Sequence, residues 1–268
     1  MKKVIYDFGS NNGDDIPYYL RKADVVVAVE ANPDLCEIIA SRFGDEISSG
    51  RLFVENCVLN VDADALQAEF YLNKEHVLSQ FPRPDDSVAS QFTRVVLPSR
   101  TPLAVIQQYG PPYYIKIDIE QYDHVVLEHL FQNQIRPPFI SAESHSVEVF
   151  CLLVSLGKYG AYKLLDGYSV AEVYRDASIL NLNGDKEVYS FPLHSAGPFG
   201  DDIGGDWVPP DRLLRMLGSE GMGWKDIHAT SEIVPAPTPP PPPPPRRSKG
   251  IRKRISKAIS KARKRWEI

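Results

Sequence analysis

The chain has 268 residues, 43% of them hydrophobic and 24% charged, enough to bury one sizeable core and little more. Its three cysteines, Cys36, Cys57 and Cys151, lie far apart with no CxxC pair, which excludes a disulfide framework or a zinc knuckle as the organising device. The N-terminal MKKVIYDF runs straight into a strand-like segment, and no apolar run approaches the roughly 18 residues of a membrane span, so neither secretion nor membrane crossing is expected and a reducing cytoplasm fits best.

In chain order, short β-rich runs alternate with stretches of helical length. The runs are KVIYDF (3 to 8), DVVVAVE (24 to 30), RLFVEN (51 to 56), YYIKIDIE (113 to 120) and PFISAE (138 to 143). DDIPYYLRKA after the first run reads as a short helix. PDLCEIIASRF after the second opens on proline and carries Leu35, Ile38, Ile39 and Phe43 at helical spacing. Strands alternating with helices predict an α/β domain, a parallel sheet with right-handed crossovers. QAEFYL (67 to 72) and TRVVLPS (93 to 99) read as additional strand or lid material. SVEVFCLLVSLGKYG predicts a helix, and YKLLD and SILNL predict strands that finish the sheet. Residues 194 to 207, rich in glycine, aspartate and proline, read equally as a flap over a substrate or as an inert connection. The folded domain is expected over 1 to 234.

Residues 235 to 245 form a proline-rich linker, whose unbroken run from 239 to 245 should span roughly 20 Å of polyproline II. Residues 246 to 268 hold eleven Lys/Arg against one acid, for +10, while the preceding 245 residues carry 19 bases against 34 acids, for −15. In this tail Ile251, Ile255, Ile259, Ala262 and Trp266 recur at spacings of three and four, the pattern of a basic amphipathic helix suited to an anionic membrane surface. An acidic partner, this chain's own acidic domain and a disordered solubilising tail are competing readings. Nucleic acid is the less favoured target.

The loop D-F-G-S-N-N-G (7 to 13) follows a strand and precedes a helix, so its glycines allow positive-φ turns and close ligand approach, although an ordinary β-to-α turn would read the same. Glu30, ending the second strand, stands where nucleotide-binding sheets place an acid against ribose hydroxyls. The dinucleotide fingerprint GxGxxG is absent, which disfavours an oxidoreductase, and an acid at the loop's entry suits a positively charged cofactor better than a pyrophosphate. In YYIKIDIEQYD, Ile115, Ile117 and Ile119 share one face and Lys116, Asp118 and Glu120 the other. Three charges on a buried face imply pairing or a ligand; an edge strand with a wet face is the alternative.

Taken together, D-F-G-S-N-N-G, V-E-A-N-P around Glu30 and I-K-I-D-I-E-Q-Y-D resemble the FkbM-type methyltransferases over residues 3 to 145, and H-S-A-G-P-F-G-D-D-I (194 to 203) is similar to a segment of bacterial relatives. The resemblance implies a Rossmann-like class I methyltransferase fold, a mostly parallel seven-stranded sheet with helices on both faces. It also implies S-adenosylmethionine as cofactor and a hydroxyl-bearing acceptor, a sugar, glycan or natural product. Gln121 departs from the glycine usual there, and little sequence precedes the first strand to form an N-terminal lid.

On that basis Asp7, Gly9, Ser10, Asn11 and Gly13 are expected to hold the methionine part of the cofactor, and Glu30 with Ala31 the ribose. Asp118 is the leading candidate for the base that takes the acceptor's proton; Glu120 is second, and Glu143 or His145 in SAESH could serve instead. Those four side chains could alternatively hold Mg²⁺, the less favoured use, and no metal is assigned. His76, His124 and His129 read as surface residues. A rival of another class is a non-catalytic scaffold that merely positions the basic tail, and peripheral attachment at the inner membrane surface would follow from the tail's preferred reading.

Overall fold

The structure is a computed structural model and describes residues 2 to 234. The expected linker (235 to 245) and basic helix (246 to 268) lie outside the described residues. The elements in order are β1 (Val4–Phe8), α1 (Ile16–Lys22), β2 (Val25–Glu30), α2 (Pro33–Arg42), α3 (Gly44–Ser48), β3 (Leu52–Asn56), β4 (Val58–Leu59), β5 (Gln67–Asn73), β6 (Phe92–Arg100) and α4 (Pro102–Tyr109). They continue with β7 (Tyr114–Ile117), α5 (Asp123–Gln132), β8 (Phe139–Ser144), α6 (Val147–Ser155), β9 (Ala161–Asp166), α7 (Val170–Val173), β10 (Ala177–Leu180), β11 (Lys186–Tyr189), α8 (Pro210–Glu220) and β12 (Gly223–Thr230).

Seven strands form one sheet in the order β3-β2-β1-β7-β8-β12-β9. The first five are mutually parallel, and β12 runs antiparallel between β8 and β9. The fold is therefore α/β, with the mostly parallel seven-stranded, Rossmann-like sheet expected of a class I methyltransferase. β1, β2 and β7 are buried on both faces because covering layers bury both sides of the pleat. Tyr6, Val27 and Ile115 pack against α4, α5, α6 and α8 on one side, while Ile5, Val26 and Tyr114 pack against α1 and α2 on the other. Local chemistry starts the helices. Asn32 accepts from the Asp34 amide at 3.0 Å ahead of Pro33, and Thr101 does the same for Ala104 ahead of Pro102.

Two expectations need correction. SILNL does not finish the sheet: β10 pairs with β11 in a separate hairpin, because the turn after Leu180 returns the chain onto itself. The sheet is completed by β12, whose sequence GWKDIHAT gave no apolar run to recognise. Residues 194 to 207 are packed in place: Ser195, Ala196, Phe199 and Ile203 are buried, and Phe199 stacks on Tyr114 with ring centroids 4.0 Å apart. The segment packs with α1 and α2 on the same face of the sheet, Phe199 also lying against Tyr18 and Tyr19 of α1. On α2, Ile38 is exposed, and Cys36 takes its place on the buried side.

Candidate active site

β1 leads leftward through β2 to β3, and β7 leads the other way to β8, so the order of strands reverses between β1 and β7. Open α/β sheets bind ligands in the crevice above such a reversal. A cavity of about 870 Å³ opens there, within the size range of ligand pockets. Its walls come from the loop after β1, the ends of β2, β7 and β8, and the excursion around Phe70 to Phe81.

The loop after β1 is held tightly over the neighbouring strands. Gly9, at φ +87°, and Ser10 both donate backbone N–H bonds to the Val29 carbonyl, at 2.9 and 3.2 Å. A Cβ on Gly9 would stand 1.8 Å from the carbonyl oxygen of Asp118, so only glycine lets this loop cross the exit of β7. Ser10 is buried and its hydroxyl donates to the Asp7 carbonyl at 2.8 Å. Asn11 and Asn32 donate backbone N–H bonds to the two oxygens of Glu30, at 2.9 and 2.8 Å. Each oxygen keeps a lone pair for a further donor. Burial pushes the Glu30 carboxyl up to about 7, against the pull of those two amides.

Lys116 is the hub beneath this loop. Its side chain is 5% exposed, and its ammonium donates to the Gly9 carbonyl at 3.0 Å while pairing with Asp118 at 3.1 Å and Asp7 at 3.5 Å. Burial alone would pull its proton off, but Asp118, Asp7, Asp15 and Asp226 outweigh burial and hold it charged. Asp7 and Asp15 are themselves raised by burial, Asp15 to about 6; Lys116 opposes the rise in both.

On the far side of the cavity stand Glu120, Glu143 and His145. His145 Nε2 lies 2.8 Å from Glu143 and 3.8 Å from Glu120. The Glu143 contact, with further charge from both acids, outweighs burial and pushes His145 up to about 9. Burial raises Glu120 to about 7 and raises Glu143 as well. Glu120 and Gln121 occupy φ +29° and +65°, so the turn keeps a left-handed geometry although glutamine stands at the glycine-like position. Around the rim, Trp224 packs edge-on to Tyr168 at 4.7 Å and stacks with His194 at 5.7 Å.

Gly9, Ser10, Asn11, Glu30, Ala31, Asp118, Glu120, Glu143 and His145 thus line one cavity. Asp7 and Gly13 do not. Asp7 lies below it as a partner of Lys116, and Gly13 points its missing side chain at Ile16, Ile39 and Phe43, where it lets α1 pack on α2. β7 lies between β1 and β8, which removes the edge-strand alternative for its charged face. Sequence reasoning missed Asp15, Tyr168 and Trp224 and read His76 as a bystander although it lines the cavity; His194, which also lines it, belongs to the segment read as a flap or a connection. For Lys116 a signal existed: a base followed at i+2 and i+4 by the acids Asp118 and Glu120 in an alternating run.

No family model and no curated protein matches the chain. Among solved structures, it is similar to the C-terminal domain of precorrin-6Y C5,15-methyltransferase from Rhodobacter capsulatus, with 11% identity, 85% of this chain and 79% of that one covered, and a TM-score of 0.37. It is also similar to the O-methyltransferase from Bacillus cereus in complex with SAH, again at 11% identity and TM-score 0.37, covering 85% and 74%. A putative precorrin-6Y C5,15-methyltransferase domain from Corynebacterium diphtheriae gives 12% identity, 88% coverage of both chains and a TM-score of 0.36. The assignment of fold rests on the strand order of this chain itself.

Proposed function

We propose that this chain is an S-adenosylmethionine-dependent methyltransferase of the FkbM type that methylates a hydroxyl of a sugar, glycan or natural product. The carrying observation is the cavity at the strand reversal, turned by Gly9 and walled by carboxylates. The residues fit the cofactor: the Gly9 turn carries the backbone of residues 9 to 11 along the cavity wall, and Glu30 keeps two lone pairs for a ribose diol. Gly9, Ser10 and Asn11 hold the methionine part, and Asp15 with the Lys116-paired carboxylates sets the negative field around it. When bound, S-adenosylmethionine supplies an electrophilic methyl group on a sulfonium, so the protein contributes mainly alignment and proton removal.

Asp118 stands at the carboxyl end of β7, in the cavity wall, with its side chain 37% exposed and one oxygen on Lys116. In this reading it takes the acceptor's proton, which would make the oxygen a competent nucleophile toward the methyl group that the cofactor would supply. Calorimetry with S-adenosylmethionine and S-adenosylhomocysteine tests the cofactor, and a tritiated-methyl transfer assay against lipid-linked and nucleotide-linked glycans tests the acceptor. Absence of affinity for both cofactor forms overturns the reading. No helix among the described residues is long and apolar enough to cross a membrane. The basic segment 246 to 268 is proposed to bring the domain to an anionic membrane surface, supported by its +10 charge and apolar stripe. Co-sedimentation with anionic vesicles that is unchanged on deleting it overturns that part.

A further inference from the structure

β12 is irregular where it meets the end of β8. Its register steps between Gly223, opposite Ser144, and Asp226, opposite Glu143, so Trp224 and Lys225 bulge against the strand end that carries Glu143 and leads into His145. Bulges of this kind re-aim a side chain, and Trp224 lines the cavity. On its other edge β12 pairs Lys225 with Asp166, the last residue of β9, which brings Trp224 beside Gly167 and Tyr168. A Cβ on Gly167 would stand 2.5 Å from the indole, so the ring packs on bare backbone. Trp224 in turn meets Tyr168 edge-on and stacks with His194.

Two of these rings are held at a cost that packing does not repay. Tyr168 is braced by Trp224 yet 76% exposed, leaving its ring face to water. His194 stands at φ +69°, a left-handed backbone that disfavours a residue with a Cβ, and the next residue, Ser195, is buried with its hydroxyl donating to Asp15. The imidazole is thereby fixed at the cavity wall. Trp224 belongs to β12, two strands from β7 and Asp118; Glu30 belongs to β2, two strands from β7 in the opposite direction. At about 4.8 Å per strand, each stands roughly 10 Å across the sheet from Asp118. A cofactor held by Glu30 and the loop after β1 therefore leaves the aromatic end to a second ligand.

We infer that Tyr168, His194 and Trp224 form the platform for the methyl acceptor, and that the platform takes an uncharged pyranose ring. The rings of Tyr168 and Trp224 cross at 78°, which makes a corner and not a pair of parallel plates. A chair-shaped sugar offers C–H bonds of partial positive charge to the negative faces of such rings, and hydroxyl donors at its edge to carboxylates, which only accept. Glu143 and Glu120 stand beside the platform with one histidine between them, so an anionic ring would be repelled. The excursion that carries Lys74 and His76 packs instead against Ala31, on the Glu30 side. That the ring is the methyl acceptor rests on the methyl-transfer reading; its binding on the platform does not.

The test measures binding of methyl glucopyranoside, methyl mannopyranoside and methyl galactopyranoside to the full chain by saturation-transfer NMR, with and without S-adenosylhomocysteine; methyl glucuronide and catechol are the comparators. A neutral glycoside should bind at millimolar concentration, and methyl glucuronide at least about tenfold more weakly. Tyr168→Ala is the decisive variant: it should weaken glycoside binding about tenfold or more with an unchanged melting curve, because that ring is mostly in water. Tyr168→Phe keeps the ring face and should stay within about twofold. Gly167→Ala, which displaces the indole, should also lose about tenfold. No glycoside binding at tens of millimolar overturns the platform, as does binding that survives Tyr168→Ala or catechol bound in preference to every glycoside. Glycoside binding that depends on Tyr168 in a protein without affinity for S-adenosylhomocysteine would leave the platform standing and remove the methyl-transfer reading; the reverse result removes the platform alone.

Discussion

Replacing Gly9 by alanine offers the sharpest quantitative test of the loop above the sheet. The backbone at φ +87° costs an L-residue about 1 to 2 kcal/mol. A carbon and a carbonyl oxygen ordinarily approach to about 3.4 Å, whereas the new Cβ would stand 1.8 Å from the Asp118 carbonyl oxygen. Both partners are backbone, so the exits of β1 and β7 must separate by roughly 1.5 Å, an overpacking penalty of about 1 to 3 kcal/mol. The total, about 2 to 5 kcal/mol, is a large fraction of the 5 to 15 kcal/mol typical of a domain. The same separation would stretch the 3.0 Å bond from Lys116 to the Gly9 carbonyl and displace the loop from any ligand. Gly13→Ala is the matched control. Its φ is +82°, but its Cβ would meet side-chain atoms of Ile16, Ile39 and Phe43 at 3.0 to 3.1 Å, which can give way. Gly13→Ala should therefore cost about 1 to 2 kcal/mol and leave affinity for S-adenosylhomocysteine within about twofold, because Gly13 is not in the cavity wall. Urea unfolding midpoints and calorimetry measure both quantities. If the two variants lose equal stability and equal affinity, the loop does not cross β7 as described.

Asp118→Asn should keep cofactor affinity and lower transfer by about 10² to 10⁴-fold with a competent acceptor; full turnover would remove Asp118 as the base. Lys116→Met should destabilise the domain by about 3 to 5 kcal/mol, because Asp7 is left buried without its cation, and adding Asp7→Asn should restore part of the loss; no restoration would mean that the pair is not the cause. Asp15 is raised to about 6 by burial, so the folded state holds its proton after the unfolded state has released it. Stability should therefore fall as pH rises from about 4 to 6, by up to about 3 kcal/mol from this group. Asp15→Asn should flatten that fall in urea titrations at the two pH values; parallel curves for variant and wild type would refute the assignment.

The amino-terminal half of the sheet was legible because β1, β2, β7 and β8 are apolar runs separated by helices of amphipathic spacing. The candidate site was legible where chemistry is local: Gly9 after a strand, Glu30 ending the next, and charges alternating with isoleucines from Lys116 in β7 to Glu120 in the turn that follows it. What escaped is set by long-range packing. β12 buries Asp226 and His228 between β8 and β9, so its polar residues read as a surface loop until both neighbours are known. Asp15 is another such case. Its value lies in contacts with Ser195 and Ala196, some 180 residues along the chain, and no local pattern announces them. Gly13 failed in the opposite direction: its place in a glycine loop suggested ligand contact, while its neighbours make it a helix-packing residue.

The position of β12 has a consequence for how the molecule is made. It is a late strand in the chain but an interior strand in space, paired on both sides. During synthesis, β8 and β9 must wait with unpaired edges until residue 230 has left the ribosome, because their shared neighbour arrives last. Growing chains halted before residue 223 would present two sticky edges to one another, so nascent-chain aggregation should concentrate in that window and vanish once Gly223–Thr230 can insert.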